Sequence, residues 1–387
     1  MAARRPPNRK AQIRSAAAQL FLQRGYHNVS MADVATALEI TPGALYHHYR
    51  NKQDLLLHTV LEHLDALDAL ARDAAGLDQV LRSLAALAVG TRGTVGVWER
   101  EARYLDAPQR EIVRARIGEV AARLAPLIQR ERPELAEADA LLLSAAALGV
   151  LGSRSRHLRG LSRRRGESLM YRLASAAVRC DLPEPERDAP SVMAAPRSGG
   201  AAALRRPRRD QLLATAVRLF DERGFHSVTM ADIGEAAGIA ASGIYHHFPD
   251  KRDILVTAAA SGEQQIRTRV DDVLARAQGP WEALELLLRG HIAVCVEHRN
   301  LIGILTNDRD ELPEKEQRVL RRFLADYLAV WVEALAAVLP GRDTAELRIA
   351  VSATQSMIYY VARADRIEQW PDVRQRLARL GMAVLLS

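Results

Sequence analysis

One segment of the chain occurs twice, and this repeat limits the possible folds more than any other feature. Residues 12–56 and 211–255 align without a gap at a constant offset of 199. An ungapped repeat of this length indicates two copies of one structural unit. The identical pairs include Leu20/Leu219, Phe21/Phe220, Arg24/Arg223, Gly25/Gly224, His27/His226, Tyr46/Tyr245, His47/His246, His48/His247 and Lys52/Lys251.

A connector separates the two copies. Residues 181–209 contain five prolines, a Gly-Gly pair and no helical periodicity, which is typical of a linker. We therefore divide the chain into five parts. They are a first short-helix domain (8–55), a first helical bundle (56–180), a linker (181–206), a second short-helix domain (207–254) and a second helical bundle (255–387).

Apolar residues recur at three- and four-residue spacing in both copies, which predicts helices. In the first copy Ile13, Ala17, Leu20 and Phe21 form such a stripe. The pattern predicts an all-α fold of two tandem units, each with a bundle after its first helices. The predicted first helices span 9–24, 31–38, 42–48 and 52–73 in one copy, and 208–223, 230–237, 241–247 and 251–277 in the other.

Two short helices in each copy are separated by a tight turn. Ser30 with Asp33, and Thr229 with Asp232, have the spacing of an N-cap and its acidic partner. Thr41-Pro42 supplies a new N-cap with proline at the first helical position. The sequence therefore predicts a helix-turn-helix in each copy.

The segments MADVATALEITPGALYHHYRNKQDLL and MADIGEAAGIAASGIYHHFPDKRDIL resemble the DNA-binding signature of the TetR family. The resemblance covers about a quarter of the chain and implies that the second short helix enters the major groove of DNA. A net charge of +7 agrees with an anionic partner. The residues that it places at base edges, sugar or phosphate are Thr41, Pro42, Gly43, Ala44, Tyr46, His47, His48 and Lys52, and Ala241, Ser242, Gly243, Tyr245, His246, His247 and Lys251.

Basic arms precede the first helix of each copy and can reach phosphate or the minor groove. Because the tips of the recognition helices offer no Arg, Asn or Gln, base readout is expected to depend on thymine methyl groups, on the histidines and on DNA shape. Tyr49 and Phe248 are expected to support these helices from behind. The arm residues are Arg4, Arg5, Arg9 and Lys10, and Arg205, Arg206, Arg208 and Arg209.

Each copy departs from the family pattern at a different position. Glu39 stands where glycine is favoured in the turn, at a cost of about 1–2 kcal/mol if the backbone there is left-handed. Ala240 stands where Ser or Thr is favoured as N-cap, at a cost of about 1 kcal/mol. A ligand-sensing or protein-binding adaptor with one or both decayed helix-turn-helices therefore remains the alternative to a transcriptional regulator.

The sequence offers no enzyme signature, and we expect no catalytic residues and no cofactor. Cys180 and Cys295 lack the spacing of a disulfide framework or a zinc site. Adjacent histidines such as His47 and His48 point about 100° apart on a helix, so we expect no metal site. No uninterrupted apolar stretch is long enough to cross a membrane, and we expect a cytoplasmic protein that does not bind membranes.

Two further groups of residues have open assignments. For a group of aromatic and basic residues the two interpretations are the lining of an effector cavity and the core, and the core is favoured. For an arginine-rich run they are a phosphate-binding clamp and a solvated loop after a helix, and the loop is favoured. The first group is Trp98, Arg100, Arg103 and Tyr104, and the second is Arg154, Arg156, His157, Arg159, Arg163, Arg164 and Arg165.

The family resemblance also implies the assembly and its regulation. Residues 138–152 and 345–360 are rich in small side chains and precede a last helix, as in the four-helix dimer interface of TetR proteins. We expect an intramolecular pseudo-dimer that binds two related half-sites, with a homodimer of whole chains as the rival and packing within each half as a further alternative. The resemblance implies a repressor released by a small effector, and residues 291–313 resemble regulators that sense lipid or acyl-CoA compounds.

Overall fold

The structure of the protein is a computed structural model that describes residues 9–90, 102–153, 160–183, 208–364, 367, 370 and 372–387. The regular structure in these ranges is helical, which confirms the all-α prediction. The helices of the first half are α1 (Arg9–Arg24), α2 (Met31–Ala37), α3 (Pro42–Tyr46), α4 (Lys52–Arg72), α5 (Leu77–Gly90), α6 (Ala107–Glu131), α7 (Glu137–Leu151) and α8 (Arg163–Val178).

The second half repeats the arrangement. The first four helices, α1 to α4, each begin 199 positions before their counterparts, α9 to α12. Its helices are α9 (Arg208–Arg223), α10 (Met230–Ala237), α11 (Ala241–Tyr245), α12 (Lys251–Arg276), α13 (Pro280–Glu297), α14 (Arg299–Asn307), α15 (Glu314–Val338), α16 (Thr344–Ala362) and α17 (Val373–Leu385).

Short 3-10 turns lie just before a long helix in each half, at Ala102–Tyr104 and Arg309–Glu311. Within the first bundle, α5 packs on α8, and α6 packs on α4 and α7. Within the second bundle, α13 packs on α12, α15 and α17. These helices bury apolar faces against neighbours of their own half.

The last two helices of each half pack against those of the other half. Helix α7 lies along α16, and α8 lies along α17. Gly149 makes the approach of α7 to α16 possible, because a Cβ there would lie 2.9 Å from the Cα of Met357. The four helices form one bundle in which the small side chains serve packing between the halves, not only within them.

Polar contacts accompany this bundle. The Trp370 Nε1 donates to the Ala138 carbonyl oxygen at 2.8 Å, and the buried Arg376 pairs with Asp139. A further pair joins Arg165 to Asp343 at 2.8 Å. Each contact links one half to the other across the bundle.

The arginine-rich run is placed only in part. Arg154, Arg156, His157 and Arg159 lie outside the described residues. Arg163, Arg164 and Arg165 form the first turn of α8 instead of the loop that the sequence predicts. The loop assignment was wrong there because Ser162 caps the helix and carboxylates of the other half neutralise part of the charge.

Of the helices described, none is both long and apolar enough to cross a membrane.

Candidate nucleic-acid interface and effector cavity

Each helix-turn-helix begins with the predicted cap. The Ser30 side chain accepts from the Asp33 backbone N–H, and the Asp33 carboxylate accepts from the Ser30 backbone N–H. Thr229 and Asp232 repeat this reciprocal pair. Hydrogen bonding by the capping side chain lowers the pKa of both aspartates. Because both helices are capped alike, both copies hold α2 and α10 in the same starting geometry.

The turns have the same backbone conformation despite different residues. Glu39 has φ +54° and Gly238 has φ +67°, so both positions are left-handed. This conformation costs a residue with a Cβ roughly 1–2 kcal/mol, but glycine adopts it freely. The first copy therefore contains the backbone strain that its sequence predicts at Glu39.

The second short helices differ at their first residue. The Thr41 side chain accepts from the Ala44 backbone N–H at 3.2 Å, whereas Ala240 offers no side-chain cap. Pro42 occupies the first helical position of α3. Helices α3 and α11 end at Tyr46 and Tyr245, two residues earlier than predicted. Just after these ends, the backbone N–H of His48 donates to the Leu45 carbonyl and that of His247 to the Ile244 carbonyl, three residues back, as in a turn.

One face of each recognition helix is anchored and the other is open. Leu45 and Ile244 are fully buried, and Tyr49 and Phe248 are buried behind them, as expected. Tyr46 and Tyr245 are 54% and 55% exposed. The exposed candidate contacts are Thr41, Pro42, Gly43, Tyr46, His47, Ser242, Tyr245 and His246, and the half-buried ones are Ala44, His48, Gly243 and His247.

The fourth helix of each copy begins with a lysine, and both lysines point inward. The Lys52 Nζ donates to the carbonyl oxygens of Tyr26 and Val29 at 2.9 and 2.8 Å. The Lys251 Nζ donates to the Phe225 carbonyl at 2.6 Å, and burial lowers its pKa. In this conformation each lysine supports the loop before the helix-turn-helix, and its contact with phosphate stays a prediction.

The arms are described only at their helical ends. Arg9 donates to Gln12, one turn further along the helix, and Arg208 donates to the Ala237 carbonyl at 3.3 Å. Lys10, Arg208 and Arg209 are exposed. Arg4, Arg5, Arg205 and Arg206 lie outside the described residues, as does the recognition candidate Ala241 in its side chain. In the described part of the chain, no group of three His, Cys, Asp or Glu side chains is placed to hold a metal ion.

A small cavity of about 30 Å³, partly open to solvent, lies inside the first bundle. Its lining is mostly aliphatic, with His63 as the polar exception, and Tyr360 of the second half closes one wall. Burial lowers the pKa of His63 to about 4, so this side chain is neutral at physiological pH. The apolar lining suits a hydrocarbon group, but a ligand larger than one or two waters would bind only after the bundle widens.

The second bundle is filled at the corresponding level. Its void is only about 10 Å³, and Trp331, Tyr327 and His291 pack together beside it. The His291 Nδ1 lies 3.1 Å from the Tyr327 hydroxyl oxygen, and burial lowers the pKa of His291 to about 4. The repeat therefore does not extend to the bundle interiors.

Sequence reasoning missed a cluster between the two short-helix domains. Arg103 and Tyr104 do not line the cavity; they are buried in the contact between the halves. Trp98 and Arg100, the other two members of that candidate group, lie outside the described residues. The contact joins residues about 200 positions apart, so no local pattern in the sequence predicts it. The sequence signal that relates to it is the equivalence of His27 and His226 in the repeat.

Comparison with known proteins identifies the family of the repeated segment. The model of bacterial regulatory proteins of the tetR family matches twice, at residues 13–59 and 212–258. The chain is a TetR-family protein with two tandem units. Each match covers a helix-turn-helix and the start of the long helix that follows.

Similarity to individual TetR-family proteins covers part of each chain. The repressor KstR2 of Mycolicibacterium smegmatis is 30% identical over 123 residues, which are 29% of this chain and 60% of KstR2. The fatty acid metabolism regulator protein of Bacillus subtilis is 27% identical over 124 residues, which are 31% of this chain and 64% of that protein. The chain thus spans about half to two thirds of these curated relatives. The structure of KstR2 from Mycobacterium tuberculosis covers 46% of this chain and 93% of its own, at 22% identity and a TM-score of 0.43.

Proposed function

We propose that this TetR-family chain is a ligand-responsive repressor that binds a single operator through both of its DNA-binding domains. The observation that carries this proposal is the pair of open recognition faces, with Tyr46 and Tyr245 similarly exposed, on a chain whose halves are joined by a common four-helix bundle. Because each face is anchored from behind, binding requires little reordering of the helix.

The bundle supports an intramolecular pseudo-dimer. Helices α7, α8, α16 and α17 already cover one another, so the surface that a TetR dimer needs is used within one chain. The rival assembly is a homodimer of whole chains with four helix-turn-helices. Light scattering of the free protein separates the two, because the rival predicts twice the mass.

The operator that we propose has two related but non-identical half-sites. Both copies have an exposed Tyr-His pair, Tyr46-His47 in the first and Tyr245-His246 in the second. At the start of the helix they differ, because Pro42-Gly43 in the first copy aligns with Ala241-Ser242 in the second. Shared residues favour a common part of the half-sites, and different helix tips favour different bases at one end. The basic arms and the chain's positive charge would add affinity that depends on salt.

The effector that we propose is an apolar small molecule that binds in the first bundle and widens the small cavity there. The described lining of the cavity contains no Lys or Arg, so it suits an acyl chain or a similar hydrocarbon group more than a free anion. Tyr360 connects the cavity wall to the second half, so a ligand that changes this contact would change the relation of the two domains and release the operator.

Footprinting on the DNA upstream of its own gene, with competitor DNA at physiological salt, tests the regulator proposal. We expect one protected site of about 15–25 base pairs. Weak, unspecific binding that modest salt abolishes would overturn it and favour the adaptor alternative.

A thermal-shift screen with fatty acids and their acyl-CoA esters tests the effector proposal. We expect stabilisation by at least one compound, and loss of that stabilisation in Ala88→Trp, which fills the cavity. Operator affinity should be retained in this variant. Leu148→Ala, which enlarges the same cavity, is the matched control and should still bind. If no compound stabilises the protein, the lipid and acyl-CoA assignment fails.

A further inference from the structure

The two DNA-binding domains touch each other at equivalent positions. His27 and His226 lie in the loops after α1 and α9, and their ring centroids are 4.2 Å apart. The His226 Nε2 lies 2.6 Å from a carboxylate oxygen of Glu311. The loops that precede the two helix-turn-helices therefore meet at the pseudo-twofold axis that relates the copies.

A residue of the first bundle is inserted beside this contact. Tyr104, in the 3-10 turn, stacks on Tyr26 with a centroid distance of 5.5 Å and an interplanar angle of 15°. On its other side the ring faces Gly224, where a Cβ would lie 2.4 Å from the Tyr104 Cε1. One ring thus contacts both DNA-binding domains, and Gly224 is required for its approach.

The neighbouring Arg103 connects the same turn to the second half. Its Nη1 donates to the Asp308 carboxylate at 2.7 Å, and its Nη2 donates to the Asn307 carbonyl at 3.1 Å. The Arg103 and Asp308 side chains are 8% and 0% exposed. This ion pair between the halves is shielded from solvent.

Asp308 also interacts with the second DNA-binding domain. Burial raises the pKa of Asp308 to about 6, and the charge of Arg103 together with the backbone N–H of Phe225 opposes that rise. Phe225 is in the loop after α9 and precedes His226, the residue in contact with His27. The pair therefore joins the first bundle, the second bundle and the second DNA-binding domain at one point.

An ion pair of this kind is a poor source of net stability but a good source of defined geometry. Desolvation of both charges offsets most of their attraction, and apolar replacement of the whole pair is often tolerated. Its directional hydrogen bonds, however, permit only a narrow range of relative positions. A geometric role is therefore the better explanation of this pair.

We propose that Arg103 and Asp308 are positioning residues that fix the distance and rotation between the two DNA-binding domains, and so set the half-site spacing that the chain accepts. This inference rests on the proposed function, since it requires one chain to bind both half-sites. It goes further by assigning the choice of spacing to one contact outside both recognition helices.

The test compares two pairs of substitutions. Arg103→Met with Asp308→Leu removes the pair near the DNA-binding domains. Arg376→Met with Asp139→Leu removes a second ion pair between the halves, which lies in the four-helix bundle and joins a buried arginine to a half-buried aspartate. Affinity is measured on a series of operators with one or two base pairs inserted or deleted between the half-sites. Each inserted base pair moves one half-site by about 3.4 Å and rotates it by about 35°.

We expect the wild-type affinity to fall about tenfold or more for each base pair away from the preferred spacing, since binding at two half-sites then needs deformation. The Arg103/Asp308 double variant should lose this preference to within about threefold across the series, because its domains can move apart. The Arg376/Asp139 double variant should keep the wild-type profile. Thermal denaturation of each variant reports any general loss of stability separately.

The outcomes are distinguishable. If the wild-type protein binds no operator with two half-sites, the proposed function fails. If it binds and the Arg103/Asp308 variant keeps the wild-type profile, the positioning inference fails. Tyr104→Leu, which removes the ring between the domains but no charge, serves if the double variant does not fold; it should flatten the profile as well, and an unchanged profile would overturn the inference.

Discussion

The two helix-turn-helices reach the same geometry with different local costs. In the first copy Glu39 holds a left-handed turn and Thr41 caps the next helix; in the second, Gly238 takes the turn without strain but Ala240 provides no cap. In the first copy the Ile40 backbone N–H, just after the left-handed residue, donates to the Ala35 carbonyl oxygen. In the second copy the Ile239 backbone N–H donates to the equivalent carbonyl oxygen, that of Gly234. Tertiary packing therefore determines the turn, and about 1–2 kcal/mol of local cost is tolerated in each copy.

The bundle interiors differ more than the DNA-binding domains. The first bundle keeps a cavity beside His63, whereas Trp331 and Tyr327 fill the second. The position that corresponds to His63 by the offset of 199 is Gly262, where a Cβ would lie 2.8 Å from the Leu305 side chain. Lack of a side chain there lets α14 approach α12. We therefore expect the two halves to share DNA binding but not ligand binding.

The largest expected effects separate the two recognition faces. Tyr46→Ala and Tyr245→Ala should each weaken operator binding about 10- to 100-fold, because each removes one contact at a base edge or phosphate. Footprinting should show that each variant loses protection at a different half-site. Trp281→Ala, which removes an equally exposed aromatic from α13, is the control and should bind normally. Loss of the same half-site in both variants would contradict two separate reading faces.

Acid should destabilise the bundles through their buried histidines. The pKa of His63 in the first and of His291 in the second is about 4 in the folded chain, below the unfolded value of about 6.5. The unfolded chain therefore binds more protons between these values, and the free energy of unfolding falls as pH falls from 7 to 5. The loss should be about 2 kcal/mol for each histidine.

Urea unfolding at pH 7 and pH 5 measures this difference. His291→Phe should reduce the pH dependence by the share of one histidine, and His63→Leu should do the same for the first bundle. His246→Phe, on the exposed face of a recognition helix, should leave it unchanged. A wild-type protein that is equally stable at both pH values would show that these side chains are not buried in the neutral form.

Exchange of the turn residues should move the strain from one copy to the other. Glu39→Gly is expected to stabilise the protein by about 1 kcal/mol, and Gly238→Glu to destabilise it by about 1–2 kcal/mol, because both positions are left-handed. Thermal denaturation of the two variants measures these changes. Destabilisation by Glu39→Gly would mean that the Glu39 side chain makes a compensating contact.

The smallest expected effects concern the caps. Thr41→Ala should destabilise the first copy by about 1 kcal/mol, and Ala240→Thr should stabilise the second by about 0.5–1 kcal/mol. Because both residues lie at the start of a recognition helix, hydrogen exchange of the amides in α3 and α11 is a more direct measurement than global unfolding. If exchange in α11 is unchanged by Ala240→Thr, packing alone determines the start of that helix.

Local sequence patterns predicted the local structure well. The repeat offset, the reciprocal caps at Ser30 and Thr229, and the buried supports Tyr49 and Phe248 each depend on neighbours within one domain. The prediction of a loop at residues 163–165 was wrong because it ignored the Ser162 cap and the carboxylates of the other half that pair with Arg165.

Contacts between the halves were not predictable in this way. Arg103 meets Asp308 across 205 positions, and both residues lie outside the repeated segment, so neither periodicity nor alignment relates them. The inward direction of Lys52 also depends on a loop folded back onto α4. Such features follow from the relative placement of whole elements.

The central claim is that one chain uses both DNA-binding domains on one operator, and native mass spectrometry of the complex with its footprinted operator tests it most directly. The account predicts one chain per duplex, with Tyr46→Ala and Tyr245→Ala each lowering the affinity of that same complex. Two chains per duplex as the smallest complex, with no effect of either substitution alone, would contradict it.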